Sequence, residues 1–371
     1  MSEQASNRFA IVMAGGAGTR FWPASKKSRP KQLLPLGRSA TQSLLAETVE
    51  RILPLVPKQN IFIATNTLLT DAIAQELPWL RPSQILAEPT PRNTAPCIGW
   101  ATSVIARTHP KAEIMVLPSD HAIGNEEAFR TAILTALSSA EEKRCVATIG
   151  IVPTRAETGY GYIEMGSTLE KALGASSALK VVRFVEKPSR EKAEEYLQAR
   201  TYLWNAGMFF YNAEVMLSAI GKHMPDLLKD LIELDAAAAS GNGDEALKTL
   251  FPRMPSISID YGVMEREKEL LVVPGEFGWN DLGSWQSAWE LADKNTHGNV
   301  CAADDIVVDG TNNYVRDLTI GAKRKQIALV GVSNLVVVET DEAILIIDRE
   351  RSQDVKLVVD ELKRRGLDAL L

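Results

Sequence analysis

The alternation of short apolar segments with longer amphipathic ones constrains the fold of this chain most. Apolar runs bounded by turn residues predict buried strands, and apolar residues at helical spacing predict helices. Strands are predicted at residues 9–14, 61–64, 85–87 and 113–117, and helices at residues 41–53 and 93–107. Strands that alternate with helices are typical of a parallel sheet covered on both faces. We therefore predict an α/β fold with a mostly parallel sheet.

The character of the sequence changes after residues 291–298. From Val300 to Ile347 the chain consists of short β-rich segments separated by Gly, Asn and Asp, and an amphipathic segment follows between Ser352 and Gly366. A chain of 371 residues exceeds the size at which one hydrophobic core usually keeps growing. We predict two domains, at residues 1–290 and 299–371, the second being a small β domain with a terminal helix. Its segments show no strict repeat, so the pattern leaves a sandwich, a barrel and a β-helix open.

The net charge of −6 argues against a nucleic-acid-binding or anionic-membrane-binding surface. The first apolar run has no basic segment before it and is too short for a signal peptide or a membrane span. A cytoplasmic location is therefore expected. The cysteines Cys97, Cys145 and Cys301 are widely separated, which favours reduced thiols over a disulfide framework or a zinc site.

A glycine-rich segment directly follows the first predicted strand. Gly15, Gly16 and Gly18 would let backbone N–H groups approach a phosphate closely. Arg20 and Lys31 follow in the same segment and carry the positive charge that a polyphosphate requires. The segment has neither the GK[ST] of a Walker loop nor the GxGxxG of a dinucleotide-binding fold. It predicts a phosphate-binding loop, with a tight turn flanked by solvated basic residues as the alternative.

Three aspartates are candidate metal ligands. Asp120 follows the strand at 113–117, and ligands bind outside the carboxyl ends of strands in open α/β sheets. Mg²⁺ prefers one or two carboxylates together with phosphate oxygens. Asp260 and Asp281 lie among aromatic residues, where a buried acid needs a partner such as a metal. For each of the three, a helix cap or an Asx turn is the alternative.

Two further segments have the composition of a sugar-phosphate site. In FVEKP, Glu186 could accept hydrogen bonds from hydroxyl groups while Lys187 contacts a phosphate. In WNAGMFF, Asn205 and Gly207 interrupt an apolar strand, and a glycine there indicates close approach of a ligand or a bulge. Taken alone, each segment is also compatible with a surface turn or an irregular strand.

Eight segments together resemble the mannose-1-phosphate guanylyltransferases, a family of sugar nucleotidyltransferases also called GDP-mannose pyrophosphorylases. In the order of the family they are AGGAGTRFWPASKKSRPKQ (14–32), AEPTPRNTAP (87–96), LPSDH (117–121), GYGYIE (159–164), FVEKP (184–188), WNAGMFF (204–210), SIDYGVME (258–265) and WNDLGSW (279–285). The resemblance implies a Rossmann-like nucleotidyltransferase domain followed by a left-handed β-helix-like domain. It also implies the Mg²⁺-dependent transfer of GMP from GTP to mannose 1-phosphate, for GDP-mannose and polysaccharide biosynthesis.

The same resemblance implies roles for individual residues of this sequence. The nucleotide would be held by Ala14, Gly15, Gly16, Gly18, Thr19, Glu88, Asn93, Thr94, Ala95 and Ser119. The sugar phosphate would be surrounded by Gly161, Glu186, Lys187, Asn205, Gly207 and Asp260. Mg²⁺ would be bound by Asp120 and Asp281, and the catalytic cations would be Arg20, Lys31 and Lys187. The sequence lacks the phosphomannose isomerase domain of longer relatives, so a second activity is not expected.

Three alternative functions are kept for comparison. A related nucleotidyltransferase would use glucose 1-phosphate with dTTP or UTP, which the segments at 87–96 and 279–285 argue against. A regulatory paralogue would bind a nucleotide sugar without catalysis, but the metal carboxylates and the lysine of FVEKP are all present. A nicotinamide-dependent enzyme would need a glycine fingerprint that is missing. A homodimer is compatible with exposed strand edges in the β domain.

Overall fold

The computed structural model describes residues 7–16, 18–39, 41–168, 177–320 and 325–371. Up to residue 291 the described chain forms eleven strands. They are β1 (Arg8–Met13), β2 (Ile61–Asn66), β3 (Ile85–Glu88), β4 (Glu113–Pro118), β5 (Ala122–Ile123), β6 (Val146–Ile151), β7 (Tyr162–Thr168), β8 (Leu179–Val185), β9 (Tyr202–Asn212), β10 (Leu270–Gly275) and β11 (Trp279–Asn280). β5 and β11 pair with each other, and the others form a nine-stranded sheet in the order β3-β2-β1-β4-β9-β6-β10-β8-β7.

Nine helices lie in the same part of the described chain. They are α1 (Leu44–Ile52), α2 (Thr70–Glu76), α3 (Thr94–Ala106), α4 (Glu126–Lys143), α5 (Arg190–Ala199), α6 (Ala213–His223), α7 (Pro225–Ala239), α8 (Gly243–Leu250) and α9 (Trp285–Leu291). Alternate residues of β1 enter two different cores: Phe9 and Ile11 pack with α3, α6 and α7, whereas Ala10 and Val12 pack with α1 and α4. Helices therefore cover both faces of the sheet, as the sequence predicts. No helix among the described residues has the length and apolar character needed to cross a membrane.

The sheet is mixed, which refines the prediction of a mostly parallel one. β3, β2, β1 and β4 are parallel neighbours. β9 then runs antiparallel to both β4 and β6, and β7 and β8 also pair antiparallel. β9 is buried along most of its length. Such a strand suits the centre of a sheet whether it runs parallel or antiparallel to its neighbours. The apolar pattern that predicts a strand does not encode its direction, and this explains the difference.

The C-terminal part is a short β-helical winding followed by a helix. Its elements are β12 (Ile306–Val308), β13 (Tyr314–Asp317), β14 (Ala328–Val330), β15 (Leu335–Glu339), β16 (Ile344–Asp348) and α10 (Val355–Arg364). β12 pairs in parallel with β14, and β13 pairs in parallel with β15. The same sequence offset separates the partners in both ladders (Ile306 with Ala328, Tyr314 with Val336). A constant offset between parallel strands is the geometry of successive coils, so the β-helix-like option is confirmed.

Candidate active site

Three adjoining cavities form one crevice at the carboxyl ends of β1, β3 and β4. The Glu88 cavity (about 330 Å³) contains Gly15, Gly16, Glu88, Asn93, Thr94 and Ser119. The Lys31 cavity (about 310 Å³) contains Gly18, Thr19, Arg20, Lys31, Asp120 and Asp281. The Asn205 cavity (about 260 Å³) contains Gly161, Glu186, Asn205, Gly207, Asp260 and Asp281. Asp120 is common to the first two and Asp281 to the last two, so the crevice is continuous.

Almost all of the residues singled out from the sequence therefore lie in one place. Three of them, Ala14, Ala95 and Lys187, are not among the residues that line the cavities. Ala14 is buried beneath the crevice, where its carbonyl oxygen accepts hydrogen bonds from Gln32 (2.8 Å) and Thr65 (3.1 Å). The side chain of Ala95 is also buried, and its backbone N–H donates to the carbonyl oxygen of Ile257 (3.1 Å). These two alanines shape the backbone around the crevice without exposing a side chain to it.

The glycine loop, which we define as residues 14–16 and 18–36, has a conformation that depends on Gly18. Gly18 has φ = 58°, and a Cβ atom at this position would lie 2.6 Å from Cβ of Lys31 and 2.8 Å from its backbone nitrogen. A side chain is therefore excluded by both strain and contact. Short 3₁₀ turns at Thr19–Phe21 and Lys31–Leu33 follow. Gln32 donates to the carbonyl oxygens of Ala14 and Gly16 and so holds the loop against β1.

Lys31 connects the two candidate metal-binding loops. Its buried ammonium donates to Oδ2 of Asp120 (2.9 Å) and to the backbone oxygen of Asp281 (2.6 Å). Burial would raise the pKa of Asp120, but the charge of Lys31 and the hydrogen bond that Lys31 donates outweigh this effect and lower the pKa. Asp120 is therefore an anion next to the glycine loop.

Three residues without a predicted role surround Asp281. The indole N–H of Trp279 donates to Nδ1 of His121 (3.1 Å), and burial lowers the pKa of His121, so this imidazole is neutral with its proton on Nε2. Burial, together with the neighbouring charge of Asp281, raises the pKa of Tyr160. Tyr160 and Trp279 also line the Asn205 cavity. Both lie inside segments that carried the family resemblance, and this was the signal available for finding them.

The two aspartates suit a magnesium ion better than a transition metal. Among the described residues, no group of three or more His, Cys, Asp and Glu could hold a metal ion, so a site built from protein ligands alone is not available there. Mg²⁺ is usually bound by one or two carboxylates, and phosphate oxygens and water complete its coordination. Asp120 and Asp281 line the same Lys31 cavity, so the donor set fits Mg²⁺ shared with a substrate phosphate.

A hydrogen-bonded network lines the Asn205 cavity. The Asn205 side chain donates to Oδ1 of Asp260 (3.0 Å) and accepts from the backbone N–H of Gly207 (3.1 Å). Burial, together with the neighbouring Glu186 charge, raises the pKa of Asp260 to about 7. A Cβ atom on Gly161 would lie 2.5 Å from Oε2 of Glu186. The cavity is therefore a small polar site whose carboxyl groups can accept hydrogen bonds from hydroxyl groups.

Lys187 follows Glu186 in the sequence, and Glu186 lines the same cavity. Its ammonium forms an ion pair with Glu186, and its side chain is about half exposed. Burial would lower the pKa of Lys187, but the hydrogen bond and charge of Glu186 raise it. Lys187 is therefore a cation that can move toward an incoming anion.

Glu88 is the most unusual group in its cavity. It is 8% exposed, and among the described residues its Oε1 atom has no hydrogen-bond partner. Burial raises the pKa of Glu88 to about 7, and the hydrogen bond from the thiol of Cys97 offsets this only in part. A buried oxygen without a partner is costly. The cost is relieved if a ligand in the cavity supplies the missing donor.

A larger cavity of about 620 Å³ lies outside this crevice, beside α4 and β10. Its described lining includes the acids Glu127 and Glu276 and no lysine or arginine. It therefore lacks the positive charge that binds phosphate groups.

Comparison with known proteins agrees with this arrangement. Residues 9–298 match the nucleotidyl transferase family, and residues 303–362 match the mannose-phosphate isomerase/GMP-like β-helix domain. A mannose-1-phosphate guanylyltransferase of Klebsiella pneumoniae is 40% identical over 95% of this chain and 74% of its own length. The xanthan biosynthesis protein XanB of Xanthomonas campestris pv. campestris (strain B100) is 39% identical over 97% of this chain and 74% of its own.

Among solved structures, a Thermus thermophilus protein named mannose-1-phosphate geranyltransferase is similar over 96% of this chain and 99% of its own. The identity is 34% and the TM-score 0.83. Similarity over nearly the whole length includes both the sheet domain and the β-helical part.

Proposed function

This chain belongs to the nucleotidyl transferase family, in the branch of the mannose-1-phosphate guanylyltransferases, and from that premise we propose that it transfers GMP from GTP to mannose 1-phosphate. The products are GDP-mannose and pyrophosphate. The observation that carries the choice of GTP is the buried carboxyl group of Glu88 with its unpartnered oxygen.

A carboxylate at this position matches guanine. Guanine presents two adjacent donors, N1–H and the 2-amino group, and an ionised carboxylate accepts two hydrogen bonds side by side. Uracil and thymine present a single N–H between two carbonyl oxygens, so one carboxylate oxygen would face an acceptor. Glu88 therefore supports GTP over UTP and dTTP, because a buried polar group left unpaired costs binding energy.

The positive groups of the glycine loop suit the triphosphate. Backbone N–H groups of Gly15 and Gly16 approach the phosphates, and Arg20 and Lys31 line the adjoining Lys31 cavity. Because pyrophosphate leaves with several negative charges, these two cations stabilise the leaving group. Thr19 lines the cavity beside them and can donate its hydroxyl hydrogen to a phosphate oxygen.

Asp120 and Asp281 would hold Mg²⁺, which would supply charge stabilisation to the reacting phosphates. Lys31 supports this pairing because it contacts Asp120 and the backbone of Asp281 at once and so keeps the two loops together. Tyr160 lines the Asn205 cavity together with Asp281.

The Asn205 cavity suits the sugar phosphate. Glu186 and Asp260 accept hydrogen bonds from the mannose hydroxyls, and Lys187 orients the phosphate for in-line attack on the α-phosphorus. A phosphate oxygen is already anionic near neutral pH, so no general base is needed. Positioning and electrostatic stabilisation carry the catalysis, and no covalent enzyme intermediate is formed.

The experiment is pyrophosphate release across GTP, ATP, UTP and dTTP, each with the 1-phosphates of mannose, glucose and galactose. GTP with mannose 1-phosphate should give the highest kcat/KM, by about tenfold or more over any other pair, as expected when a polar group would be left unpaired. A preference for UTP or dTTP would replace this function with that of a glucose-1-phosphate nucleotidyltransferase. Binding without release of pyrophosphate from any pair would point to the regulatory paralogue.

A further inference from the structure

The C-terminal part of the chain packs directly on the glycine loop. A single apolar cluster contains buried residues from both: Phe21, Trp22, Ala24, Leu34 and Leu36 of the loop, and Tyr314, Val336, Val338, Leu345, Val355 and Val359 of β13, β15, β16 and α10. Trp285, at the start of α9, is fully buried in the same cluster. The loop that lines the phosphate cavity on one side is therefore covered by the β-helical part on the other.

Directional contacts accompany the apolar ones. The indole N–H of Trp22 donates to the carbonyl oxygen of Leu370 (2.9 Å). Arg316 of β13 donates to the carbonyl oxygen of Pro35 (3.3 Å), and Lys26 forms an ion pair with Glu342. These contacts attach the loop in its middle, at Trp22 and Lys26, and near its end, at Pro35. They therefore constrain the position of the loop in addition to burying its apolar side chains.

A chain of aromatic rings leads from the β-helical part to Lys31. The rings of Tyr314 and Trp285 lie 5.9 Å apart, and those of Trp285 and Phe21 lie 4.8 Å apart. The ammonium of Lys31 lies 5.8 Å from the ring centroid of Phe21. Trp285 also donates its indole N–H to the carbonyl oxygen of Trp22 (3.2 Å). This chain of contacts therefore ends at Lys31, which contacts both candidate metal-binding loops.

We propose that the C-terminal part positions the glycine loop for the reaction, with Trp22, Trp285, Tyr314 and the loop-facing side of β15 as positioning residues. This inference rests on the proposed function, because it assigns the loop to the triphosphate. The physical reason is that a loop of short turns loses conformational entropy when it is ordered, and phosphate transfer requires the binding groups to be held within a fraction of an ångström. Packing against a second domain orders the loop before the nucleotide arrives.

β15 offers a matched pair of variants for the test. Val338 belongs to the cluster that contains the loop, whereas the adjacent Val337 belongs to a separate cluster with Val315 and Leu329. Both side chains are buried, at 0% and 7% exposed. Val338→Ala and Val337→Ala remove the same atoms from the same strand and should lower the melting temperature similarly, but only Val338→Ala weakens the support of the loop.

For Val338→Ala we expect a Kd for GTP at least about fivefold higher than that of the parent, a factor that corresponds to about 1 kcal/mol. The KM for mannose 1-phosphate should stay within about twofold, since the Asn205 cavity lies on other elements. Val337→Ala should leave both constants within about twofold of the parent. Trp22→Phe, which keeps an aromatic ring but removes the indole N–H, should behave like Val338→Ala. Equal changes in both constants, or the same changes in Val337→Ala, would overturn the proposal.

Hydrogen exchange separates this proposal from the proposed function. Amide exchange in residues 18–36 should be faster in Val338→Ala than in Val337→Ala, whatever nucleotide the enzyme uses. Suppose that GTP proves to be the wrong nucleotide while the two variants still differ in amide exchange. That result would support the positioning role of the C-terminal part and reject the assigned substrate. Equal exchange in the two variants would overturn the positioning role itself.

Discussion

At Glu88, burial sets both the ionisation state and the ligand that the residue can accept. Its pKa of about 7 means that the carboxyl group is mostly ionised at pH 8 and mostly protonated at pH 6. Only the ionised form accepts two hydrogen bonds from guanine. The Kd for GTP should therefore rise as the pH falls through 7, by about tenfold between pH 8 and pH 6, because affinity scales with the binding-competent fraction.

The γ-phosphate of GTP titrates in the same range, so the control for this prediction is Glu88→Gln, which removes the protein group and keeps the substrate. Isothermal titration calorimetry at several pH values gives the slope of log Kd for GTP against pH, for the parent and for the variant. Parallel slopes would show that Glu88 does not contact the base.

Lys187 should act on the sugar phosphate and not on GTP. Loss of one charge-assisted hydrogen bond, about 1.5–3 kcal/mol, corresponds to about 10–150-fold in kcat/KM, and the exposure of Lys187 favours the lower end of that range. Lys187→Gln should therefore lower kcat/KM for mannose 1-phosphate while the Kd for GTP changes little. Lys192→Gln is the matched control, since Lys192 also pairs with a nearby glutamate but lies on the exposed surface of α5. Equal losses in kcat/KM for mannose 1-phosphate and in affinity for GTP would show that Lys187 has a structural role instead.

At this scale the sequence located most of the polar residues that line the crevice, since these residues sit in segments with a recognisable spacing. It did not locate Gln32, Thr65, His121, Tyr160 or Trp279. It also assigned binding roles to Ala14 and Ala95, whose side chains are buried. Whether an aromatic or a small residue faces a cavity depends on packing between distant segments. No local pattern encodes that packing.

At the scale of elements, the proposed function predicts that the loop after β4 and the loop after β11 bind the same Mg²⁺ ion. Asp120→Asn and Asp281→Asn keep the size of the side chain and remove its charge, so each should lower kcat/KM by about a hundredfold or more, equivalent to about 2.7 kcal/mol. Because both would bind the same Mg²⁺, the double variant should be little worse than the poorer single one. The measurement is kcat/KM against Mg²⁺ concentration for the four proteins.

Asp226→Asn serves as the control for this cycle, because Asp226 is an exposed acid in the first turn of α7. Circular dichroism shows whether each variant is folded. Two independent capping residues would instead give additive effects, lower thermal stability and an unchanged dependence on Mg²⁺. Folded single variants with activity within about tenfold of the parent at saturating Mg²⁺ would exclude the shared ion.

The periodicity of apolar residues predicts the helices and strands with small errors at their ends. The helix predicted at 93–107 is α3 (Thr94–Ala106), and the strand predicted at 9–14 is β1 (Arg8–Met13). Asn93 caps α3 with its side chain and has φ = 64° and ψ = −171°, a backbone conformation that is rare for residues other than glycine. The direction of β9 was not predictable in this way, because strand pairing is decided by contacts far apart in the sequence.

For the whole molecule, the sequence predicted a separate β-rich tail but not its relation to the active site. The tail packs on the glycine loop through one apolar cluster, and its coils are held by buried asparagines: Asn313 donates to Asn299 (3.1 Å) and accepts from the backbone of Leu335 (2.9 Å). The contacts between the tail and the glycine loop connect residues hundreds of positions apart, as between Trp22 and Leu370. The boundaries of the two domains and the homodimer stay predictions.

Product analysis is the sharpest test of the proposed reaction, in which GMP from GTP is joined directly to mannose 1-phosphate. The protein is incubated with Mg²⁺, GTP labelled at the α-phosphate, and mannose 1-phosphate, and all phosphorylated species are identified by mass spectrometry. We expect the label to appear in GDP-mannose, with one unlabelled pyrophosphate released per GDP-mannose formed. Release of orthophosphate, label attached to the protein, or pyrophosphate without GDP-mannose would contradict it.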